Sequence, residues 1–364
     1  MSSWRIVCSV VCLMMVVQCY GQESQPCLTP KGIAGRCIRV RECGYVLHLM
    51  RKDNFEYSDT QYLENLQCGT LPDGLPLVCC PQFTNEPLCG PMAPFRRIYG
   101  GNDTEFGEYR WMALLRFQTR QHRINANCGG SLISKRFVLT AAHCYKSAKS
   151  KGWEIHSVRL AEWNHMNHRG NKDCKHLEDY DEPICRKDYD VERFVIHPDY
   201  RVSSGIHIND IALIELATDV EYSLFVKPIC LPVNTSYLPS DGTETEYTAA
   251  GWGSTDEDNA LSYRLKYVTL REFDSERCRK VFQTPNDNGV GVEHICAGGV
   301  RGQDTCHGDS GGPLMVFSEG AWYLAGITSF GWPRCGKENF PGVYTNVSHY
   351  LGWIAQEVYR DIKV

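Results

Sequence analysis

The chain has no long basic run, no Cys-x2-Cys pair and, beyond its first residues, no apolar stretch long enough to cross a bilayer. Each absence removes a class of protein. A net charge of −5 without a basic stripe argues against nucleic acid as the main partner. Without Cys-x2-Cys ligands, a structural zinc site of the finger or ribbon kind has no anchor. A membrane span needs about 20 consecutive apolar residues, and none follows Val17. No internal repeat or low-complexity tract is present, which excludes a repeat array. Helical periodicity is scarce too. Only Leu351, Ile354 and Val358 recur at i, i+3, i+7, and they predict one carboxyl-terminal helix.

What is present points outside the cell. Arg5, the apolar run Ile6 to Val17 and small residues near Gly21 read as a secretory signal peptide over residues 1–21. Of the 19 cysteines, Cys8, Cys12 and Cys19 fall in that leader. The remaining 16 are even in number and allow eight disulfides, a density that fits an oxidising compartment. A length of 364 residues, 43% of them apolar, allows two or three domains with a sizeable core.

The cysteines divide the chain. Six lie between Cys27 and Cys80 among Gly and Pro turns with few apolar residues, so this segment reads as a small module that needs staples. Spacing alone leaves fifteen pairings open. Residues 81–97 hold Pro81, Pro87, Pro91 and Pro94 with an isolated Cys89, and read as an extended linker. From Ile98 to Val364 short apolar runs bounded by turns recur: Trp111 to Phe117, Phe137 to Ala142, Ile211 to Leu216, Tyr323 to Ile327. That pattern predicts an all-β barrel or sandwich.

Three clusters carry chemistry. Thr140-Ala141-Ala142-His143-Cys144 sets a histidine beside a cysteine, Asn209-Asp210-Ile211-Ala212-Leu213 sets an aspartate before an apolar strand, and Gly308-Asp309-Ser310-Gly311-Gly312-Pro313 surrounds a serine with glycines. Singly, each reads as a satisfied polar residue, a turn or a loop. Together they give His, Asp and Ser in the order and spacing of a nucleophilic triad.

With these clusters, Trp111-Met112-Ala113, Cys128-Gly129-Gly130-Ser131-Leu132-Ile133, Gly251-Trp252-Gly253 and Pro341-Gly342-Val343-Tyr344 make residues 98–364 resemble the chymotrypsin-like, trypsin-family serine proteases. The cysteine pattern of residues 27–80, ending in Cys79-Cys80, resembles a clip domain. The combination is similar to arthropod clip-domain proteases, including those that process Toll ligands or activate prophenoloxidase. The resemblance implies a chymotrypsin-like double β-barrel with a carboxyl-terminal helix, preceded by a small disulfide-rich domain. It also implies a secreted zymogen in haemolymph, with protein substrates, an upstream Arg-specific activating protease and an inhibitory serpin as partners.

The family's roles carry over residue by residue. Ser310 is the nucleophile, His143 its general base, and Asp210 holds the imidazole in the right tautomer. The amides of Gly308 and Ser310 face the oxyanion, where losing one donor costs about 3 kcal/mol. Ser329 supports Asp210. Asp304, six residues before Ser310, lies on the floor of the specificity pocket and pairs with Arg or Lys of the substrate. Gly331 and Gly342 form the pocket walls, and Pro341 stands where a tyrosine would signal sodium regulation. Cleavage between Arg97 and Ile98 frees an α-amino group to pair with Asp309, a buried ion pair that acts as a switch.

The same resemblance pairs Cys27–Cys79, Cys37–Cys68, Cys43–Cys80, Cys89–Cys230, Cys128–Cys144, Cys278–Cys296 and Cys306–Cys335, leaving Cys174–Cys185 for a local loop. It also implies a structural calcium in the loop beginning at Glu162, with Asn164, Asn167 and Asp173 as further oxygen donors. No cofactor is required for catalysis. Sequons at Asn102, Asn234 and Asn346 offer glycosylation sites. Two other readings compete. A non-catalytic protease homologue would usually lack the serine, which is present here. A digestive trypsin would have little use for a tethered disulfide module.

Overall fold

The computed structural model describes residues 23–51, 56–92, 104–164, 174–175, 184–233, 245–254, 261–283 and 289–360. The signal peptide, Arg97, Ile98, Asn102, Asn167, Asp173 and Asn234 lie outside the described residues. The chain forms two compact units, residues 1–84 with 352–364, and residues 85–351.

The first unit contains a four-stranded antiparallel sheet of order β1-β2-β4-β3, with β1 at Pro26–Leu28, β2 at Ala34–Arg39, β3 at Gln67–Thr70 and β4 at Pro76–Pro81. Two short helices, α1 (Gly44–Leu49) and α2 (Tyr57–Asn65), lie between β2 and β3. The α2 start carries a reciprocal capping box between Glu56 and Asp59, which satisfies two otherwise orphan amides. Cys27–Cys79, Cys37–Cys68 and Cys43–Cys80 cross-link the unit. The staples do not stand alone: Tyr45, Val46, Leu49, Tyr62, Leu66 and Val78 are all buried around Cys43 and Cys79. At the carboxyl end, Tyr359 packs against this cluster and its hydroxyl accepts the Thr84 N–H at 3.3 Å.

The second unit is built on two barrel-like antiparallel sheets. Strands β5 (Met112–Gln118), β6 (Ile124–Leu132), β7 (Phe137–Thr140) and β8 (Glu154–Leu160) begin the first. After them comes a small hairpin of β9 (Cys174–Lys175) and β10 (Ile184–Cys185). Next are β11 (Lys187–Tyr189), β12 (Val191–Ile196), the hairpin β13 (Arg201–Ser203) with β14 (Ile206–Ile208), and β15 (Ala212–Leu216). The first sheet runs β11-β8-β5-β6-β7-β15-β12. The second runs β17-β16-β19-β20-β21-β18, from β16 (Glu246–Gly251), β17 (Lys266–Arg271), β18 (His294–Gly298), β19 (Pro313–Ser318), β20 (Ala321–Phe330) and β21 (Pro341–Asn346). The fold is the all-β, chymotrypsin-like one. Every residue of β7 is buried, as are four of five in β15, so both faces are covered and the strands are apolar apart from Thr140 and Glu215.

The carboxyl-terminal helix is α5 (Leu351–Val358), with Ile354 buried. The structure adds two helices that periodicity misses in the catalytic region, α3 (Ala142–Ser150) and α4 (Ser275–Phe282). Each is about two turns, too short for a repeating apolar stripe. The better signal at α4 is its cap, where the Asp274 side chain accepts the Arg277 amide.

The proline-rich segment is not free over its described length. Asn85 exchanges two hydrogen bonds with Leu231, Gly90 N–H donates to Pro228 O, and Trp322 N–H donates to Gly90 O. Cys89–Cys230 fixes the same stretch covalently.

Candidate active site

Register brings the first two groups together. β7 pairs with β15 so that Thr140 lies opposite Ala212. His143 stands just past the end of β7, as the second residue of α3, and Asp210 is two residues before β15. The two side chains therefore meet across one strand pair. His143 Nδ1 lies 2.7 Å from Asp210 Oδ2, and the His143 amide donates to Oδ1 at 2.8 Å. Asp210 is 1% exposed. The second sheet completes its shell. A β-bulge between Thr328 and Phe330 leaves Ser329 as the extra residue of β20, and its hydroxyl donates to Asp210 Oδ2 at 2.5 Å. Thr345, on β21, donates its hydroxyl to the Asp210 carbonyl at 2.8 Å.

Burial alone would neutralise both groups, but each stabilises the charged form of the other. The bonds from His143 and Ser329 outweigh burial and hold the Asp210 carboxyl at about 2. Burial opposes protonation of His143, yet Asp210 more than offsets it and raises the imidazole above its usual value.

Ser310 is held through its backbone. The Gly129 N–H donates to Ser310 O at 2.8 Å, and Gly311 N–H donates to Thr328 O at 2.8 Å. Gly308 has φ +102°, and a Cβ there would stand 2.6 Å from the Leu261 side chain. Gly311 has φ +76°, with Thr140 Oγ1 only 2.2 Å from a Cβ position. Only glycine fits either place. Among the described residues the amides of Gly308 and Ser310 donate to no protein acceptor, and no hydrogen bond joins Ser310 Oγ to His143.

Behind this loop lies a cavity of about 790 Å³, lined by Asp304, Asp309, Gly253, Lys266 and Arg301 among others. Asp304 accepts the Gly336 amide through Oδ2 at 3.0 Å, while its buried Oδ1 has no partner. Burial pushes its carboxyl up to about 6, with the Gly336 and Thr305 amides pulling the other way. Gly342 flanks it: a Cβ there would meet Asp304 Oδ1 and Tyr344 Oη at 3.0 Å. A Cβ on Gly331 would lie 3.7 Å from the Gly342 Cα, so the two glycines face one another and any side chain would narrow the slot. Asp309 accepts the amides of Gly253 at 2.6 Å and Cys306 at 3.0 Å. No cation pairs with it among the described residues, and burial pushes it up to about 6 as well.

The remaining disulfides are Cys128–Cys144, Cys174–Cys185, Cys278–Cys296 and Cys306–Cys335. Asn346 uses its side chain to cap the turn at Val347–Tyr350, accepting from the Ser348 amide and donating to Val292 O.

The calcium expectation meets a correction at Glu162. Its Oε2 accepts from Arg159 at 3.3 Å and from Arg186 at 2.9 Å, and its Oε1 accepts the Trp163 amide at 3.1 Å. Arg159 in turn forms a two-pronged pair with Asp188, which also pairs with Arg116. Two guanidinium groups therefore already occupy the carboxylate that would bind the ion, and a divalent cation beside them would be repelled. Asn164 forms a β-bridge with Arg264. The described donors do not fit calcium. The sequence carried the signal in Arg186, the residue after Cys185, but its partner is 24 positions away and invisible to local reading.

Comparison with known proteins decides the family. A family model for trypsin matches residues 98–354, and one for the regulatory CLIP domain of proteinases matches residues 27–80. The chain belongs to the arthropod clip-domain serine proteases. This clip-domain protease, a serine endopeptidase, is 65% identical over 367 residues to CLIP domain-containing serine protease B14 of Anopheles gambiae, covering 98% of each chain. It is 36% identical to Melanization protease 1 of Drosophila melanogaster, covering 95% of this chain and 96% of that one. Its structure is similar to that of the Drosophila Grass clip serine protease of the Toll pathway, with TM-score 0.63, 28% identity, and coverage of 93% and 98%.

Proposed function

We propose that this protease is a secreted zymogen that cleaves after Arg or Lys once it has been cut after Arg97, and that it acts in an extracellular cascade of the Toll-ligand or melanization kind. The observation that carries the specificity is the bare Oδ1 of Asp304 between two facing glycines. A buried carboxylate oxygen without a donor is costly unless a ligand supplies one. A guanidinium or ammonium entering past Gly331 and Gly342 does so and restores the charge.

The chemistry rests on the chain's own groups. His143 takes the Ser310 proton as the hydroxyl attacks the substrate carbonyl, and the imidazolium that forms is stabilised by Asp210. The uncommitted amides of Gly308 and Ser310 receive the oxyanion. His143 then returns the proton to the leaving amine, and water repeats the sequence on the acyl-enzyme. The missing bond between Ser310 Oγ and His143 forms as the site closes on substrate.

Asp309 supports latency. Its carboxylate faces only amide donors and is held partly protonated by burial, so it awaits a cation. The α-amino group of Ile98, freed by cleavage after Arg97, is the group of the right charge. The relatives named for melanization and the Toll pathway support a cascade role, with protein substrates, an Arg-specific activator and a serpin as partners. The test is activation by an Arg-specific protease, then assay on short chromogenic peptides differing only at the residue before the scissile bond. Cleavage of the Arg and Lys peptides, and none by Ser310→Ala protein, is the expected result. Preference for an aromatic or small residue would overturn the specificity reading.

A further inference from the structure

Two clusters of metal-ligating side chains exist among the described residues, Cys128 with His143 and Cys144, and His143 with His207 and Asp210. In the first the two sulfurs are bonded to each other and cannot ligate as thiolates. The second is intact. His207 projects from β14, and its ring meets that of His143 edge-on, with centroids 5.1 Å apart and planes at 74°. His207 Nδ1 lies 3.7 Å from Asp210 Oδ2, the oxygen that holds His143. One ring nitrogen from each histidine and one carboxylate oxygen all lie within 4.8 Å of one another.

We infer that His143, His207 and Asp210 form an inhibitory site for a borderline divalent cation, with zinc as the best match. A tetrahedral zinc with ligands at about 2.0–2.2 Å wants donor atoms roughly 3.4 Å apart. Side-chain rotations of about an ångström bring these three donors there. Two imidazoles and one carboxylate suit zinc or copper, while calcium and magnesium prefer sets of oxygens. His207 is built to stay in place. Tyr200 Oη lies 3.0 Å from its Nδ1 and is displaced by the ion, while His294 Nε2–H donates to its carbonyl at 2.8 Å and Phe330 stacks on its ring at 5.8 Å. Outer contacts of this kind orient a ligating ring. The histidine side chains are 12% and 23% exposed, so an ion can enter from the substrate cleft and keep water in its open position. A metal on His143 Nδ1 takes the place of the proton donated to Asp210 and leaves the ring's N–H on Nε2, so no lone pair remains to accept the Ser310 proton and binding and catalysis exclude one another. The inference rests on His143 being the general base.

The test separates binding from activity. Full-length Ser310→Ala protein, activated by cleavage, is titrated with zinc chloride by calorimetry, with calcium and magnesium chlorides as controls. One zinc per chain at low micromolar affinity is expected, with no heat from the controls. Absence of zinc binding at a hundred-micromolar order would overturn the inference, whatever the enzyme's activity. In the active protein, zinc should inhibit peptide cleavage, and chelator should restore it. His207→Leu and His207→Gln, each referred to its own uninhibited rate, should need at least tenfold more zinc for half-inhibition. Equal inhibition of wild type and both variants would place the ion elsewhere. Should both variants fail to fold, Tyr200→Phe serves: removing the hydroxyl that competes for His207 Nδ1 should lower the half-inhibitory zinc concentration, and an unchanged value counts against the site.

Discussion

Asp304 accepts one hydrogen bond on Oδ2 and none on Oδ1, and that asymmetry has measurable consequences. Asp304→Ser should lower kcat/KM for Arg peptides about a thousandfold, about 4 kcal/mol, because a desolvated cation loses its partner. An unchanged Arg preference would assign recognition to another group. The raised pKa of about 6 gives a second outcome with a defined sign. The protonated acid cannot attract a cation, so the affinity of a benzamidine-type inhibitor should be flat above pH 6 and fall about tenfold per unit below it. A Kd that does not vary between pH 5 and 7 would show that Asp304 is already ionised at the lower end. Most of the residues at this scale were legible, since His143, Asp210, Ser310 and Asp304 sit in long local motifs. Thr345 and His207 were not. Their contacts with Asp210 and His143 depend on strand pairing and ring packing between positions far apart in sequence, and nothing beside them marks the contact.

At the scale of elements, the loop from Glu162 to Arg186 shows how far a motif can mislead. Glu162-Trp163-Asn164 reads as the start of an ion-binding loop, yet the structure supplies the positive charge from Arg159 and Arg186. Thermal melts at millimolar calcium and with chelator should therefore overlap. A chelator-induced drop of several degrees would mean that other loop oxygens hold an ion. Arg186→Gln should lower stability by about 2 kcal/mol, since it leaves the 6%-exposed Glu162 with one guanidinium fewer. Four strands, β5, β7, β15 and β20, were readable from apolar runs of five to seven residues bounded by turns, and the other strands of the two sheets carried no such run. The short helices α1 to α4 were not, because two turns carry too little periodicity and depend on caps and packing.

At the scale of the whole molecule, latency and retention can be tested together. Arg97→Gln protein should stay inactive after treatment with an Arg-specific protease, and full activity would dismiss Ile98 and Asp309 as the switch. An activated wild-type sample should run as one species without reductant and as two with it, because Cys89–Cys230 spans the cut. A light chain that separates without reductant would show that the bridge does not form. The disulfide has company: Asn85 and Gly90 are hydrogen-bonded to residues 228–231 and 322, so the segment ahead of the cut is laced onto the second unit. Only residues 82–84 separate this lacing from the end of β4. A cut after Arg97 would therefore leave the clip module leashed to the protease. A leash this short gives a local concentration of the order of millimolar for anything the module captures. A protein substrate that the module bound would then be cut even when the cleft itself held it weakly, and a cut after Arg97 would not dilute that advantage. The sign of such recruitment would be selective: severing the leash with Cys89→Ser and Cys230→Ser together would slow turnover of a protein substrate while leaving short peptides untouched.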